Sequence, residues 1–262
     1  MLYTTDGLLI RSQNIGENDR LVTILTPEGQ IRASAKGARS MKSKLLNLTQ
    51  PFVYGNFEIN QKGGYSWIRG GSSYEMFYRL RDDVDKLFLA SYICDVAYDI
   101  TGEGEPSAEI LRLVLNTLYA IMTDMRPAEQ IKAVFELRAA GLSGYMPYLE
   151  RCGSCNKENA ENMYFDIMNG SLICSECLQK RGSAQTVQDA YSDIRTNDIL
   201  MPLTPASLSA IRFALCAPQE KIFSFSLSEK ADLDVFAKVG EGYLLNHLER
   251  GFESLDLYHS IK

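Results

Sequence analysis

Four of the chain's six cysteines fall in two tight pairs within the stretch RCGSCNKENAENMYFDIMNGSLICSECLQK, residues 151–180. The spacing is Cys152-x2-Cys155-x18-Cys174-x2-Cys177. Two residues between thiols make a turn in which both sulfurs can contact one ion, and two such turns complete a tetrahedron of Zn²⁺ ligands. Because four protein ligands leave no open position, this spacing predicts one structural zinc ion in a finger at about residues 148–182.

The segment between the two pairs supports this prediction. MYFDIM, then Asn169-Gly170, then SLIC is typical of a β-hairpin with a type I′ turn, which would return the second pair to the first. A thioredoxin-like redox pair is the alternative, but neither pair lies in a βαβ pattern. The other two cysteines, Cys94 and Cys216, lie in apolar helical patterns and are expected to be small buried hydrophobes.

The first 70 residues predict a small β-barrel. Short β-type runs (LLIRS, RLVTILT, QIRASAK, PFVYGNFEIN and YSWIRG) alternate with turn segments such as NIGEND, PEG and QKGG. Five strands in so short a segment suit an oligonucleotide-binding (OB) barrel. We therefore predict an OB-fold domain over residues 1–80.

The hydrophobic period then changes to that of helices. DDVDKLFLASYICDVAYDI, AEILRLVLNTLYAIMTDM and PAEQIKAVFELRAAG precede the cysteine segment, and TPASLSAIRFAL and LDVFAKVGEGYLLNHLE follow it. The sequence thus predicts an α+β multidomain protein, in which residues 81–262 form an all-α domain with the zinc finger inserted. No apolar run is long enough to span a membrane and no secretory signal is present, so we expect a cytosolic protein without a membrane partner.

Charge is distributed unevenly along the chain. The net charge is −6, yet residues 1–80 carry ten Lys and Arg against six Asp and Glu, or +4, which leaves −10 for the rest. No acidic residue lies between Glu28 and Glu58. Such asymmetry predicts a basic N-terminal module on an acidic body.

The basic residues of this segment follow the strand period. Alternation in QIRASAK places Arg32, Ser34 and Lys36 on the face opposite Ile31, Ala33 and Ala35, and the loop GARSMKSK adds further bases on a mobile frame of small residues. In YSWIRG, Tyr65, Trp67 and Arg69 share a face, as Phe52 and Tyr54 do in PFVYG. Cations along a groove with aromatic platforms suit single-stranded nucleic acid, although a charge run is often only a solvated face and barrel aromatics often belong to the core. The predicted DNA-binding residues are Arg32, Lys36, Arg39, Lys42, Lys44, Trp67 and Arg69.

No motif in the chain predicts catalysis. A Gly-rich phosphate loop, HExxH and G-x-S-x-G are all absent from the sequence, and Asp82, Asp83 and Asp85 begin a helix, where negative charge is favoured by the helix dipole. We therefore expect a protein that is not an enzyme and has no catalytic residues. A zinc-dependent enzyme and a protein-binding scaffold with an incidental basic patch are the alternatives.

Several stretches together resemble one protein family. RSQNIGENDRLVTILTPEGQIRASAKGARSMKSKLLNLTQPF, FELRAAGLSGYMPYLERCGSC and GYLLNHLERGFESLDLY are similar, in this order, to the N-terminal signature, the approach to the zinc module and the C-terminal helix of the bacterial RecO family of DNA repair and recombination mediators. Two positions depart from the family pattern. Ser40 stands where a second base often follows the arginine of KGAR, and Glu253 where a base often precedes the serine.

The resemblance implies an OB domain followed by a helical domain with a zinc finger. It implies binding of single- and double-stranded DNA, annealing of complementary strands, contacts with RecR and with single-strand-binding protein, and loading of the recombinase RecA, in a cytoplasmic, nucleoid-associated protein. Carried over position by position, it makes Arg32, Lys36, Arg39, Lys42 and Lys44 the DNA-contacting set and the four cysteines the metal ligands.

Overall fold

The protein is seen in a computed structural model that describes residues 1–158, 162–184 and 199–261. The chain divides into two compact units, one of Met1–Met125 together with the chain from Phe252 onward, the other of Arg126–Gly251. The predicted domain boundary near residue 80 stays a prediction. Residues 159–161, within the predicted finger, lie outside the described residues.

The first unit contains a closed five-stranded barrel, as predicted. Its strands are β1 Leu2–Ile15, β2 Asp19–Thr26, β3 Gly29–Ala35, β4 Tyr54–Lys62 and β5 Tyr65–Glu75, and they neighbour one another in the order β1-β2-β3-β5-β4. The long β1 closes the barrel because its first half pairs with β4 and its second half with β2, with a bulge between Leu9 and Arg11. This closed Greek-key arrangement is the predicted OB-type barrel.

The barrel core follows from the strand alternation. Val22 and Ile24 of β2, and Ala33 and Ala35 of β3, point inward with side chains at most 1% exposed. The short helix α1, Leu45–Leu48, between β3 and β4 adds two leucines to the same core. The residues between these inward positions therefore face outward, and they carry the polar chemistry of the barrel.

Three helices complete the first unit: α2 Val84–Asp99, α3 Ala108–Met122 and α8 Glu253–Ser260. Asp83 caps α2, accepting a hydrogen bond from the Lys86 backbone N–H at 3.1 Å, which agrees with the structural role expected for the aspartates there. The start of β3 is held against the end of α2 and the loop that follows it, since the Gln30 amide nitrogen donates to the carbonyl oxygens of Tyr98 (2.7 Å) and Thr101 (2.8 Å).

Gly29 is required for this docking. Its φ is +118°, and a Cβ there would lie 2.7 Å from the carbonyl oxygen of Gly102. Both the backbone conformation and the close approach favour glycine at this position.

The second unit packs three helices, α4 Ala128–Leu142, α6 Pro205–Cys216 and α7 Lys230–Leu248. All three were predicted from the hydrophobic period. Gly240 of α7 lets α4 approach closely, because a Cβ there would lie 3.0 Å from the Cα of Ala133. The same two helices bury Lys132, whose ammonium contacts the carboxylates of Glu136 and Glu241, each at 2.7 Å.

A small sheet carries the cysteine segment. Its strands are β6 Tyr148–Cys152, β7 Met163–Asp166, β8 Ser171–Cys174 and β9 Leu200–Leu203, in the order β6-β8-β7-β9, and helix α5 Ser175–Ala184 follows β8. The sequence predicted the β7–β8 hairpin but neither β6 nor β9. The hairpin was predicted because the Asn169-Gly170 pair marks a turn between its strands, whereas no such hairpin turn links β6 or β9 to a neighbouring strand.

The predicted type I′ turn of this hairpin is wrong. Asp166 pairs with Ser171, so the loop has four residues, and Gly170 has a positive φ of 58° whereas Asn169 does not. The Asp166 carboxylate accepts hydrogen bonds from the Asn169 backbone N–H (3.1 Å) and side-chain amide (2.8 Å). This local capping by an aspartate competes with the two-residue turn that the Asn-Gly pair favours.

Two further expectations need correction. The C-terminal stretch forms two helices, α7 and α8, because Glu249 adopts a left-handed conformation (φ 52°) between them. Cys94 is buried as expected, and burial raises the pKa of its thiol, but Cys216 is exposed at the last position of α6.

Within the three described ranges, every helix is too short or too polar to cross a lipid bilayer.

Candidate nucleic-acid interface and metal centre

The outer face of β3 presents the predicted bases. Arg32 and Lys36 are exposed, while Ala33 and Ala35 between them are buried, as the strand period predicts. On β2, Arg32 has Thr23 as its cross-strand neighbour. The two cations therefore stand on one side of the barrel wall.

Strand β5 continues this face. Ser34 of β3 pairs with Trp67 of β5 in a parallel bridge, so the outward residues of the two strands lie side by side. Around Trp67, which is half-buried, Tyr65 is 80% exposed and Arg69 is exposed, whereas Ile68 is buried. Arg32 and Trp67 therefore lie on adjacent strands. Lys36 directly follows the end of β3, and Arg69 lies at a bulge in the β4–β5 pairing, where the strand alternation is interrupted.

The loop from Lys36 to Lys44 carries the remaining predicted bases, and its first residues are fixed. The Gly37 backbone N–H donates to the Asp19 carboxylate at 2.7 Å, and Ala38 is buried in the barrel core. Arg39 donates from its backbone to the Asn18 carbonyl at 3.0 Å. These contacts hold the start of the loop against the β1–β2 turn, so it is less free than its small residues suggest.

Most of these cations have no internal partner. Among residues 1–158, 162–184 and 199–261, no hydrogen bond or ion pair engages the side chains of Arg32, Lys36, Lys42, Lys44 or Arg69. The Arg39 guanidinium makes one exposed hydrogen bond, to the Gly16 carbonyl at 3.2 Å. Unpaired cations with exposed side chains keep their donors available to an external anion.

Arg20 is a nearby arginine with a different role. Its guanidinium donates to the Thr49 hydroxyl and carbonyl (3.0 and 3.1 Å), which ties β2 to the end of α1. Burial, together with the positive charge of Arg39, lowers the pKa of Arg20.

Two aromatic candidates do not form a platform. Phe52 is 2% exposed with a left-handed φ of 67° and precedes β4, so it belongs to the interior. Tyr54 packs edge-on against Tyr74, with ring centroids 5.4 Å apart. Strand alternation does not extend to Phe52, because its backbone is not extended.

The second unit brings the four predicted metal ligands together. The sulfur atoms of Cys152, Cys155, Cys174 and Cys177 all lie within 4.8 Å of one another, and none forms a disulfide. The Cys155 and Cys174 sulfurs are 3.7 Å apart. Tetrahedral Zn²⁺ with bonds of about 2.3 Å separates its sulfur ligands by about 3.8 Å, so the cluster can hold such an ion.

The surroundings of Cys152 favour a thiolate. Burial by itself would raise the pKa of this thiol. Hydrogen bonds from the backbone N–H groups of Cys155, Cys174 and Ser154 outweigh burial and lower the pKa to about 6. The Cys174 N–H lies 3.4 Å from the Cys152 sulfur. The pKa of Cys177 is raised to about 12. A hydrogen bond with Cys155 is the largest cause, and burial is the second.

Metal ligands must be deprotonated, so a bound cation would favour the thiolate form of all four cysteines. A salt bridge links the two cysteine pairs on the outside, with the Lys157 ammonium 2.7 Å from the Glu176 carboxylate. Four cysteine ligands would fill a tetrahedral site and leave no position for substrate or water.

Comparisons with known proteins cover nearly the whole chain. Residues 1–77 match the family model described as Recombination protein O N terminal, and residues 81–194 match Recombination protein O C terminal. The first match ends just past the barrel, and the second includes all four cysteines.

Individual relatives extend the similarity to full length. The chain is 30% identical over 258 residues to a DNA repair protein RecO of Acetivibrio thermocellus, covering 98% of this chain and 96% of the relative. It is also 30% identical to the protein of that name from Alkaliphilus metalliredigens, over 100% of both chains. For the Clostridium acetobutylicum protein the identity is 26%, over 100% of this chain and 98% of the relative.

Proposed function

The chain belongs to the RecO family of DNA repair proteins, and from this premise we propose that it is a non-enzymatic, DNA-binding recombination mediator. It binds single- and double-stranded DNA and anneals complementary strands. It also helps to load a recombinase onto DNA that is coated with single-strand-binding protein.

One observation carries the proposal: the bases on β3, β5 and the Lys36–Lys44 loop are exposed and, within the described residues, unpaired except for one hydrogen bond of Arg39 to the Gly16 carbonyl. A protein that neutralises DNA phosphates needs cations that are not already engaged internally, because each contact releases condensed counterions. Trp67 and Tyr65 add ring surface beside these charges, which suits the stacking of single-stranded bases.

Annealing follows from the same electrostatics. Two DNA strands repel each other, and a cationic face that contacts both lowers the barrier to their pairing. This step needs neither nucleotide hydrolysis nor an active site. The negative charge of the rest of the chain would keep DNA on the basic face.

The remaining parts have supporting roles in this proposal. A single zinc ion bound by Cys152, Cys155, Cys174 and Cys177 stabilises the finger, since thiolate ligands favour Zn²⁺ and a closed site is structural. RecR and single-strand-binding protein are the proposed protein partners, in keeping with the family, and the proposed location is the cytoplasm, at the nucleoid.

Charge reversal on the basic face tests the DNA-binding role. Lys36→Glu with Arg39→Glu is expected to weaken single-stranded DNA binding for all sequences alike and to reduce the slope of log affinity against log salt by about 0.7 for each lost contact. The measurement is fluorescence anisotropy with labelled oligonucleotides across a salt series. Lys230→Glu with Lys238→Glu, on exposed positions of α7, changes the net charge equally and serves as control. Equal weakening by both pairs would show that only net charge matters, and unchanged binding by the first pair would reject the interface.

A further inference from the structure

A second arginine, Arg11 of β1, lies two strands away from Arg32 on the same side of the sheet. Strand β1 carries none of the predicted DNA-binding residues. Thr23 of β2 is the cross-strand neighbour of Arg32 on one side and of Arg11 of β1 on the other. Paired residues project to the same side of a sheet, and adjacent strands lie about 4.8 Å apart. The two arginines therefore flank Thr23, which is only 7% exposed, on the outward side of the sheet, with backbones about 10 Å apart.

A small cavity opens between these side chains. It has a volume of about 230 Å³, and Arg11, Thr23 and Arg32 line it together with Gln13 and Tyr98. Pockets for drug-sized molecules measure about 300–1,000 Å³, so this one suits a smaller group. All of its lining residues belong to the first unit.

The Arg11 guanidinium is held in one orientation. It lies 3.6 Å above the ring centroid of Tyr98, and one of its nitrogens donates to the Asp95 carboxylate at 3.0 Å. The other Asp95 oxygen accepts a hydrogen bond from the Ser254 hydroxyl at 2.8 Å. Stacking and one ion pair use only part of the guanidinium, which has five N–H donors in a planar fork.

The groups opposite Arg11 have unused donors. Within the described part of the chain, neither the Arg32 guanidinium nor the Thr23 hydroxyl makes a hydrogen bond. The residues that line the cavity include two arginines and no carboxylate. Since Asp95 pairs with Arg11, the two arginines and this carboxylate together carry a charge of +1. Two arginines and one threonine therefore contribute to the lining of the cavity.

We propose that Arg11, Thr23 and Arg32 form a phosphate-binding site on the outer wall of the barrel, which takes one backbone phosphodiester of bound DNA. The inference rests on the proposed DNA-binding function and deepens it, because it extends the path of the strand from β3 across β2 to β1. Guanidinium forks match phosphate oxygens in a bidentate manner, and a hydroxyl adds a third donor. Asp95, Tyr98 and Ser254 act as positioning residues for Arg11.

The test uses the full-length protein and a labelled single-stranded oligonucleotide, with anisotropy measured across a salt series. Arg11→Gln and Arg32→Gln are each expected to lower affinity about fivefold at 0.1 M salt and to reduce the salt slope by about 0.7. Because both arginines bind one phosphate, the double variant should lose clearly less than the product of the single effects, about 25-fold. Multiplicative losses would mean two separate phosphates and would overturn the shared site.

Two further variants separate geometry from charge. Arg11→Lys keeps the charge but lacks the planar fork, so it should bind more weakly than the wild type and more tightly than Arg11→Gln. Wild-type affinity in Arg11→Lys would mean that only diffuse charge acts here, against the proposal. Lys238→Gln, which removes one exposed charge from α7, is the control and should leave affinity unchanged.

Inorganic phosphate distinguishes this site from the DNA-binding function as a whole. It should raise the unfolding temperature of the wild type above that in chloride of equal ionic strength, and this increase should be lost in Arg11→Gln and Arg32→Gln. If the wild type binds DNA but Arg11→Gln has the same affinity and salt slope, the site is rejected and the function stands. If the wild type binds no DNA, the function fails, and phosphate protection alone decides whether the site exists.

Discussion

Ser34 of β3 and Trp67 of β5 are direct partners in the parallel bridge that closes the barrel wall. This pairing places Trp67 beside the outward face of β3, which carries Arg32, and two residues before the exposed Arg69 on its own strand. An aromatic surface and unpaired positive charges therefore lie side by side, which is the combination that single-stranded nucleic acid requires.

Trp67→Ala should weaken binding of single-stranded DNA about tenfold, because stacking of a base on an aromatic side chain contributes about 1–3 kcal/mol. Duplex binding should change less, since paired bases are not free to stack. Trp67 is the chain's only tryptophan, so its fluorescence reports directly on this contact and should be quenched by single strands. Trp67→Phe is the matched control, and unaltered indole emission on saturation with DNA would contradict the contact.

Metal removal should affect the two units differently. A chelator should release one zinc ion per chain and loosen the finger, because the folding of such a site depends on its ion. DNA binding by the first unit should remain. Metal analysis, near-ultraviolet circular dichroism and anisotropy on the same sample check these outcomes. A chain that carries no metal after purification in zinc, or one that loses DNA binding on chelation, would contradict this division of roles.

Lys132→Met should destabilise the second unit by about 3–5 kcal/mol, because it leaves two carboxylates without the buried cation between them. The Lys132 side chain is 4% exposed and that of Glu136 is fully buried. Denaturant unfolding measures the effect on the transition of this unit. Lys238→Met, on an exposed position of α7, is the control and should have little effect. Equal stability of the two variants would show that the buried ion pairs contribute nothing net.

His247 should make the second unit sensitive to acid. Its ring stacks on Tyr145 with centroids 4.6 Å apart, and among the described residues its buried Nε2 has no hydrogen-bond partner. Burial lowers the pKa of His247 below 6.5. Above pH 6.5 the imidazole is neutral in both states. As the pH falls below 6.5 the unfolded chain binds a proton first, so stability is lost until the pH reaches the pKa of the folded state.

The variant used to test this prediction is His247→Phe, which keeps an aromatic ring but cannot be protonated. The stability of the wild type relative to this variant should fall between pH 7.5 and pH 5.5, measured by chemical denaturation with the metal content held equal. Protonation of the cysteines affects both proteins alike, so its contribution cancels when the two stabilities are subtracted. A difference that stays constant with pH would exclude His247 as the source.

A fragment of residues 1–80 tests the predicted domain boundary. We expect it to retain DNA binding, because the seven predicted contact residues lie within it. We also expect it to be less stable than the full chain, because Gln30 and Arg11 lose their partners on α2. Thermal unfolding and anisotropy check both outcomes, and residues 1–125 form the control fragment. A fragment 1–80 that folds but has no affinity for DNA would place the interface elsewhere.

Local patterns in the sequence were sufficient for much of this architecture. The strand period separates Arg32 and Lys36 from Ala33 and Ala35, and the spacing of the four cysteines predicts a common ion, because both are properties of a few consecutive residues. The turn of the β7–β8 hairpin could not be predicted from its local pattern. Asn169-Gly170 favours a two-residue turn, but the side chain of Asp166 stabilises a four-residue loop.

Relations between distant residues were decided only by the tertiary structure. The sequence alone determined which residues are basic, which face of β3 they occupy and which cysteines can share a metal. It did not show that Trp67 lies beside Ser34 or that Phe52 turns inward. Nor did it show that Arg11 and Arg32 flank Thr23, or that the Arg11 guanidinium stacks on the ring of Tyr98 from α2. Such neighbours depend on strand order, register and the docking of helices, which arise from the packing of the whole chain and not from any short segment of it.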